Sequence, residues 1–414
     1  MVSAQSLPAF SGYGIELEYM IVDRERLSVL PIADRLLHRL AGRDVAEVQR
    51  RRATWSNEIV LHQIELKNTE PEPAIELLST LFQREIRYIN EQLACCGARL
   101  MPSAMHPWMN PRLETKLWPH DNAEIYRTYD RIFDCKRHGW SNLQSMHLNL
   151  PFIDDAEFAG LHAAIRLVLP ILPALAASSP LAEGKPTGFL DTRMNNYLTH
   201  QIRIPSTMGK VIPETIASRA AYQTHILMPM YHEIAVLDAE GVLQHEWLNV
   251  RGAVAHFVRN AIEIRVIDVQ ECPQADLAIA AVVRDIVHAL YDQRTASRAD
   301  QQAIGTDALV KILQDCIRDA EQASITDSVY LRLMGFPKQH CEARELWAHL
   351  MTALAKPETL QHWHDALAVM LERGPLARRI MCALGSETNQ KKMQRVYHAL
   401  CDCLQEGQLF QGVG

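Results

Sequence analysis

Four short stretches set carboxylates, an imidazole and basic groups at every second residue. In GIELEYM (14–20), Glu16 and Glu18 alternate with Ile15, Leu17 and Tyr19; in LHQIELKN (61–68), Gln63, Glu65 and Lys67 alternate with His62, Ile64 and Leu66. SMHLNL (145–150) opposes Ser145, His147 and Asn149 to Met146, Leu148 and Leu150, and AIEIRV (261–266) opposes Glu263 and Arg265 to Ile262, Ile264 and Val266. Side chains two apart on a strand share a face, so Glu16 and Glu18 are held about 7 Å apart along one strand. Such like charges repel unless a cation sits between them. If the four strands pair in one sheet, one face presents four carboxylates, an imidazole and a guanidinium. That set suits a hard divalent cation holding phosphate oxygens, with arginine taking charge as a phosphoryl group moves. The competing reading of any one strand is an amphipathic element with a solvated outer face, and of His147 alone a hydrogen-bonded core histidine. Glutamate is depleted in strands, and its recurrence on the polar side of several favours the site.

The elements that must position these groups are legible in outline. Alternation predicts strands at 13–22, 59–67, 142–150, 232–238 and 261–268. Amphipathic helices lie between them, the clearest at 71–97, with proline near its start and glycine at its end. One polar side per strand points to an antiparallel or mixed sheet with a wet face, hence an α+β fold. After AIEIRVIDVQECPQAD the pattern turns helical, with spans at 274–292, 305–322, 342–355, 358–372 and 388–405. No fixed-period repeat marks a solenoid. The apolar stretch 167–182 carries three prolines and reads as buried helix and turn rather than a bilayer span.

The chain has 414 residues, 48% hydrophobic and 22% charged, ordinary globular usage with enough apolar residues for a large core. A net charge of −7 without long basic runs argues against nucleic-acid binding, and RDVAEVQRRR (43–52) reads as a solvated helix end. The N-terminus shows no secretion signal. Nine cysteines without a C-x-x-C pair fit reduced thiols and a cytoplasmic protein. Cys95–Cys96 and Cys401–Cys403 lack partner pairs at zinc-finger spacing. Neither G-x-S-x-G nor GxxxxGK[ST] occurs, so a serine nucleophile on an elbow and a P-loop are not expected.

GIELEYMIVD, NEIVLHQIELKNTEPEPAIEL, MPSAMHPW, QSMHLNLPF, LPALAASSPLAEGKPTGFLDTR and AIEIRVIDVQECPQADLAIAAVV follow one another between about residues 12 and 290. In this order they resemble the bacterial carboxylate–amine ligases related to glutamate–cysteine ligase, the second of its sequence families. The resemblance implies a glutamine synthetase-like catalytic fold: a curved, mostly antiparallel sheet with flanking helices and a helical C-terminal region. Together with the helical periodicity beyond it, the reading is of a catalytic domain over 1–300 and a helical extension over 301–414 that packs on it or mediates oligomerisation, with no linker to mark it as independent. The resemblance also implies ATP and Mg2+ as cofactors, with Glu16, Glu18, Glu65, Glu263 and His147 as metal ligands. Arg265 would stabilise the transferring phosphate and Arg193 would lie near the substrate. His147, Asn149, Lys67 and Arg259 would contact nucleotide, Arg259 alternatively forming a surface salt bridge. The expected partners are small amino-acid or peptide substrates, with no nucleic acid or membrane, and a homo-oligomer is a further expectation. Where the family reads H-V-H-V-G this chain reads SMHLN, so Ser145 and Asn149 replace a histidine and a glycine, which bears on substrate choice. His106 in MHPW matches a histidine–proline turn and reads as structural.

Three classes of function follow: a ligase joining an amino-acid carboxylate, by default glutamate, to cysteine; the same chemistry with another amine or a peptide; and a non-catalytic nucleotide-binding relative. A metal-dependent hydrolase would require two or three histidines around a transition metal, whereas the inferred face is rich in oxygen.

Overall fold

In a computed structural model, residues 7–386 and 388–413 are described; the first six residues of the segment read above for a leader lie outside them. The main sheet comprises β1 (Gly14–Asp23), β2 (Glu47–Arg50), β3 (Ala53–Asn57), β4 (Gln63–Asn68), β5 (Ala98–Met101) and β6 (Ser145–Pro151). A separate two-residue hairpin, β7 (Leu181–Ala182) and β8 (Lys185–Pro186), precedes β9 (Ala253–His256) and β10 (Ala261–Asp268), which complete the main sheet. Its order is β2-β3-β4-β1-β6-β10-β9, with β5 on the far end of β1, and every pairing is antiparallel. The four strands that carry the alternating polar residues are therefore contiguous: β4, β1, β6, β10.

Their apolar side chains explain why one face is closed. Ile15, Leu17, Ile64, Leu66, Met146, Leu148, Ile262 and Ile264 are fully buried in the main core. Helices cover this face. Leu78–Ala94 buries Leu78, Leu81, Phe82, Ile86, Ile89 and Leu93, the three-and-four spacing of an amphipathic stripe. Pro273–Tyr291 packs against it and against Asp155–Val168 and is apolar nearly all round, as a central helix must be. Among the described residues, a single helical run, Asp155–Ala176, is long and apolar enough to cross a bilayer, and its apolar 18-residue stretch is buried inside the protein.

Several expected elements differ. Residues 232–238 are not a strand: Met228–Ile234 is helical, continuing a turn begun at Arg219, and a short apolar alternation cannot distinguish the two states. The basic 43–52 stretch contains the edge strand β2, not a helix end. β3, β5 and β9 are short and were not legible. The 358–372 span is two helices, Pro357–His362 and His364–Arg373, divided at Trp363.

The helices beyond residue 300 share the core of the rest. Tyr330 Oη donates to the Leu167 carbonyl (2.8 Å) and Trp347 Nε1 to that of Ile171 (2.8 Å). The buried Arg379 pairs with the buried Glu271.

Candidate active site

Register brings the alternating polar residues together. Across β1 and β4, Glu18 stands opposite Glu65 and Glu16 opposite Lys67. On the other side of β1, Glu16 faces His147 and Gly14 faces Asn149; one strand further, Asn149 faces Glu263. A register shift between Ile264 and Ile267 then carries Arg265 out of the ladder, as bulges do where a side chain is re-aimed. Gly14 leaves room for Asn149, whose Cβ would lie 3.1 Å from a Cβ at that position.

His147 is the hub. Its Nδ1 lies 3.0 Å from Glu16 Oε2 and 3.9 Å from Glu263 Oε1, and its Nε2 lies 2.9 Å from Ser145 Oγ and 3.7 Å from Glu18 Oε1. Burial alone would lower its pKa, but the Glu16 hydrogen bond and the charges of Glu263 and Glu18 outweigh it and raise it to about 9. The imidazolium thus serves as a cation among the carboxylates. Two sets of ligand atoms, Glu16–His147–Glu263 and Glu18–Glu65–His147, each lie within 4.8 Å of one another. Burial and neighbouring Glu16 push Glu65 up to about 7, despite hydrogen bonds from Lys67 (2.7 Å) and Ser56 (2.8 Å). Four carboxylates gathered around a single imidazole form an oxygen-rich set that fits a hard divalent cation.

The remaining expected residues fall into three groups. Arg265 donates through Nε and Nη2 to Glu263 Oε1 (2.9 and 2.6 Å) and lines the same cleft, a cavity of about 550 Å³. Arg193 also lines it; Nε pairs with buried Asp268 and Nη1 reaches the Arg265 carbonyl (3.4 Å), leaving Nη2 buried without a protein partner. Asn149 donates to Glu16 Oε1 (3.1 Å) and Lys67 to Glu65, so both orient carboxylates. Arg259 is different. It lies exposed in the turn between β9 and β10, outside the residues lining the cleft, because the hairpin closes at the Ala261–His256 pair. His256, at the end of β9, does reach the site, with Nε2 3.1 Å from Glu263 Oε2. Ser145 gives both its backbone N–H (2.7 Å) and its hydroxyl (2.9 Å) to Glu18 Oε2. His106 is structural: Nε2 bonds the Leu27 carbonyl (2.6 Å) and Nδ1 accepts from the Met109 amide (2.9 Å).

Sequence reasoning missed two contributions. Glu58, just past β3, lines the cleft, and burial with the charges of Glu18 and Glu65 holds its carboxyl well above the usual range. Its signal was the NEIVLHQIELKN stretch itself, with Glu58 outside the strand that was read. Tyr129, Trp140 and Trp247 form an aromatic wall, with ring centroids 5.1 and 5.7 Å from Tyr129, and no periodicity announces it. Among the described residues neither cysteine pair joins a cluster of metal-ligating groups.

The fold is that of glutamate–cysteine ligase. The glutamate–cysteine ligase of Francisella tularensis, solved with AMP, superposes with a TM-score of 0.62 at 13% identity, over 97% of this chain and 90% of that one. A bifunctional glutathione synthetase from Pasteurella multocida superposes with a TM-score of 0.62 at 12% identity, over 96% of this chain and 53% of that one. By sequence, the profile of glutamate–cysteine ligase family 2 matches residues 13–398, and the chain belongs to that family. An uncharacterised protein of Archaeoglobus fulgidus is 32% identical over 96% of this chain and 99% of its own length. A Bradyrhizobium protein named provisionally as a glutamate–cysteine ligase 2 is 24% identical over 82% of this chain and 78% of its own.

Proposed function

We propose that this protein is an ATP- and Mg2+-dependent ligase that joins an amino-acid carboxylate, by default that of glutamate, to an amine, by default cysteine. The observation that carries this is the convergence of Glu16, Glu18, Glu65, Glu263 and His147 on one sheet face beside Arg265 and Arg193. In such a reaction the substrate carboxylate oxygen attacks the terminal phosphorus of ATP and ADP leaves. The amine nitrogen then attacks the acyl-phosphate carbonyl, inorganic phosphate departs and the nitrogen loses a proton. Mg2+, held by the four carboxylates and by His147 once its imidazole has given up a proton, would neutralise phosphate charge. The chain's own groups supply positioning. Arg265, oriented by Glu263, faces developing phosphoryl charge, and the free Nη2 of Arg193 is available to a substrate oxygen. Lys67, Asn149 and Ser145 hold the carboxylates in place.

A hydroxamate assay tests this. Protein, Mg-ATP and hydroxylamine are incubated with single amino acids and small carboxylates; hydroxylamine intercepts an acyl phosphate whatever the natural amine. A hydroxamate with one carboxylate is the expected result and names the substrate. Silence across the panel, with nucleotide binding confirmed, would replace the proposal with a binding protein on a ligase scaffold.

A further inference from the structure

Each of the four metal-site carboxylates already gives one oxygen to a donor of the protein. Glu18 Oε2 accepts from the Ser145 amide and hydroxyl (2.7 and 2.9 Å), and Glu65 Oε1 from Ser56 and Lys67 (2.8 and 2.7 Å). Asn149 donates to Glu16 Oε1 (3.1 Å), which leaves Oε2 facing His147. Glu263 follows the same rule. Its Oε1 is turned to the cluster, 3.9 Å from His147 Nδ1, and its Oε2 is turned away to His256 Nε2 at 3.1 Å.

The position of His256 follows from the sheet. β9 is the edge strand beside β10; Val254 stands opposite Glu263, and His256, two residues on and on the same face, reaches Glu263 diagonally. The imidazole is buried between two carboxylates, with Nδ1 4.0 Å from Glu246 Oε2. Burial would raise the Glu263 pKa, but Arg265, the His256 hydrogen bond and His147 together hold it well below the ordinary value. An ionised carboxylate only accepts, so the proton of this bond is on His256 Nε2.

Pinning one oxygen limits how a carboxylate can meet a cation. Bidentate ligation needs both oxygens at similar distances from the ion, and turning Glu263 to achieve that would break its bond to His256. Mg2+ needs no such turn: it accepts single oxygens in an octahedron at about 2.1 Å. Ca2+ gathers roughly six to eight oxygens at about 2.3–2.6 Å, with bidentate carboxylates among them.

We infer that His256 is a positioning residue that sets the choice of metal: by holding Glu263 Oε2 it confines Glu263 to one ligand oxygen, so that the site takes Mg2+ or Mn2+ and discriminates against Ca2+. The inference rests on the metal-site reading above and concerns His256, not the ligand set. Glu263 is the carboxylate at which one substitution isolates the effect, since Arg265 stays on Oε1 when Oε2 is released.

The test titrates nucleotide-free, full-length protein with Mn2+, followed by electron paramagnetic resonance, and then competes Mg2+ and Ca2+ against it. Wild type should bind Mg2+ more tightly than Ca2+. His256→Ala should weaken Mg2+ about tenfold or more, the scale for losing an outer partner of a metal ligand. Ca2+ should weaken far less, so the preference for Mg2+ falls about tenfold. His256→Gln, whose amide still donates to Oε2, should keep the wild-type preference. His256→Asn is too short to reach Oε2 and should behave like alanine, which decides the matter if the alanine variant does not fold. Equal weakening of both ions in folded His256→Ala or His256→Asn protein marks a merely structural histidine and overturns the inference, as does a wild type that binds Ca2+ as tightly as Mg2+. Wild type that binds no Mn2+ removes the metal-site reading and this inference with it, whereas a silent hydroxamate panel beside an intact, His256-dependent preference for Mg2+ removes the ligase reading alone.

Discussion

The polar side chains of this site have no role in packing, and that separates their loss from loss of the fold. Glu65→Ala and Arg265→Ala should each lower ATP turnover by about 10²-fold or more while circular dichroism and thermal melting stay close to wild type. Near wild-type turnover in well-folded Glu65→Ala protein would refute the metal-site assignment. Arg193 is the opposite case. It and Asp268 are both fully buried, so Arg193→Ala strands a carboxylate and should cost about 3–5 kcal/mol of stability in denaturant melts. His106 gives a pH signature: burial lowers its pKa to about 4, against about 6.5 when unfolded. Between these values the unfolded state binds more protons, so stability falls as pH drops from about 6.5 toward 4. The stability advantage of wild type over His106→Gln should therefore shrink by up to about 1.4 kcal/mol per pH unit across that window. A constant gap in urea melts at pH 7.5, 6 and 5 would contradict the neutral assignment.

At the scale of elements, alternation located the four strands that matter because each has one fully apolar face, and that same face predicts the cost of damage. Leu148→Ala in β6 should destabilise the fold by about 2–5 kcal/mol, read as a lower denaturation midpoint with little change in m-value. β2, β3, β5 and β9 eluded the sequence because strands of four or five residues offer too few alternations to exceed chance. β3 mattered most among these, since it ends one residue before Glu58 and thereby delivers a fifth carboxylate to the cleft. Arg259 shows the converse: an attractive residue type two positions before a strand, which hairpin closure leaves in solvent.

For the molecule as a whole, the helices after residue 300 are not an appendage. Tyr330, Trp347 and Arg379 bond to Leu167, Ile171 and Glu271, and buried side chains from both parts form one continuous core. Truncation at residue 300 should yield insoluble or unfolded protein, assessed by expression yield and circular dichroism. A soluble, folded fragment would show that the first 300 residues hold together alone.

The ligand types and their spacing, and the apolar backs of β1, β4, β6 and β10, were determined by the sequence itself, because a period of two is a local property of the chain. Which strands adjoin, and hence that Glu16, His147 and Glu263 meet although 131 and 116 residues apart in sequence, was decided only by tertiary packing. So was the aromatic wall. Its side chains come from separate connections, Tyr129 from the helix Ala123–Phe133 and Trp140 and Trp247 from single turns, and its chemistry exists only once the covered sheet has fixed where each connection runs.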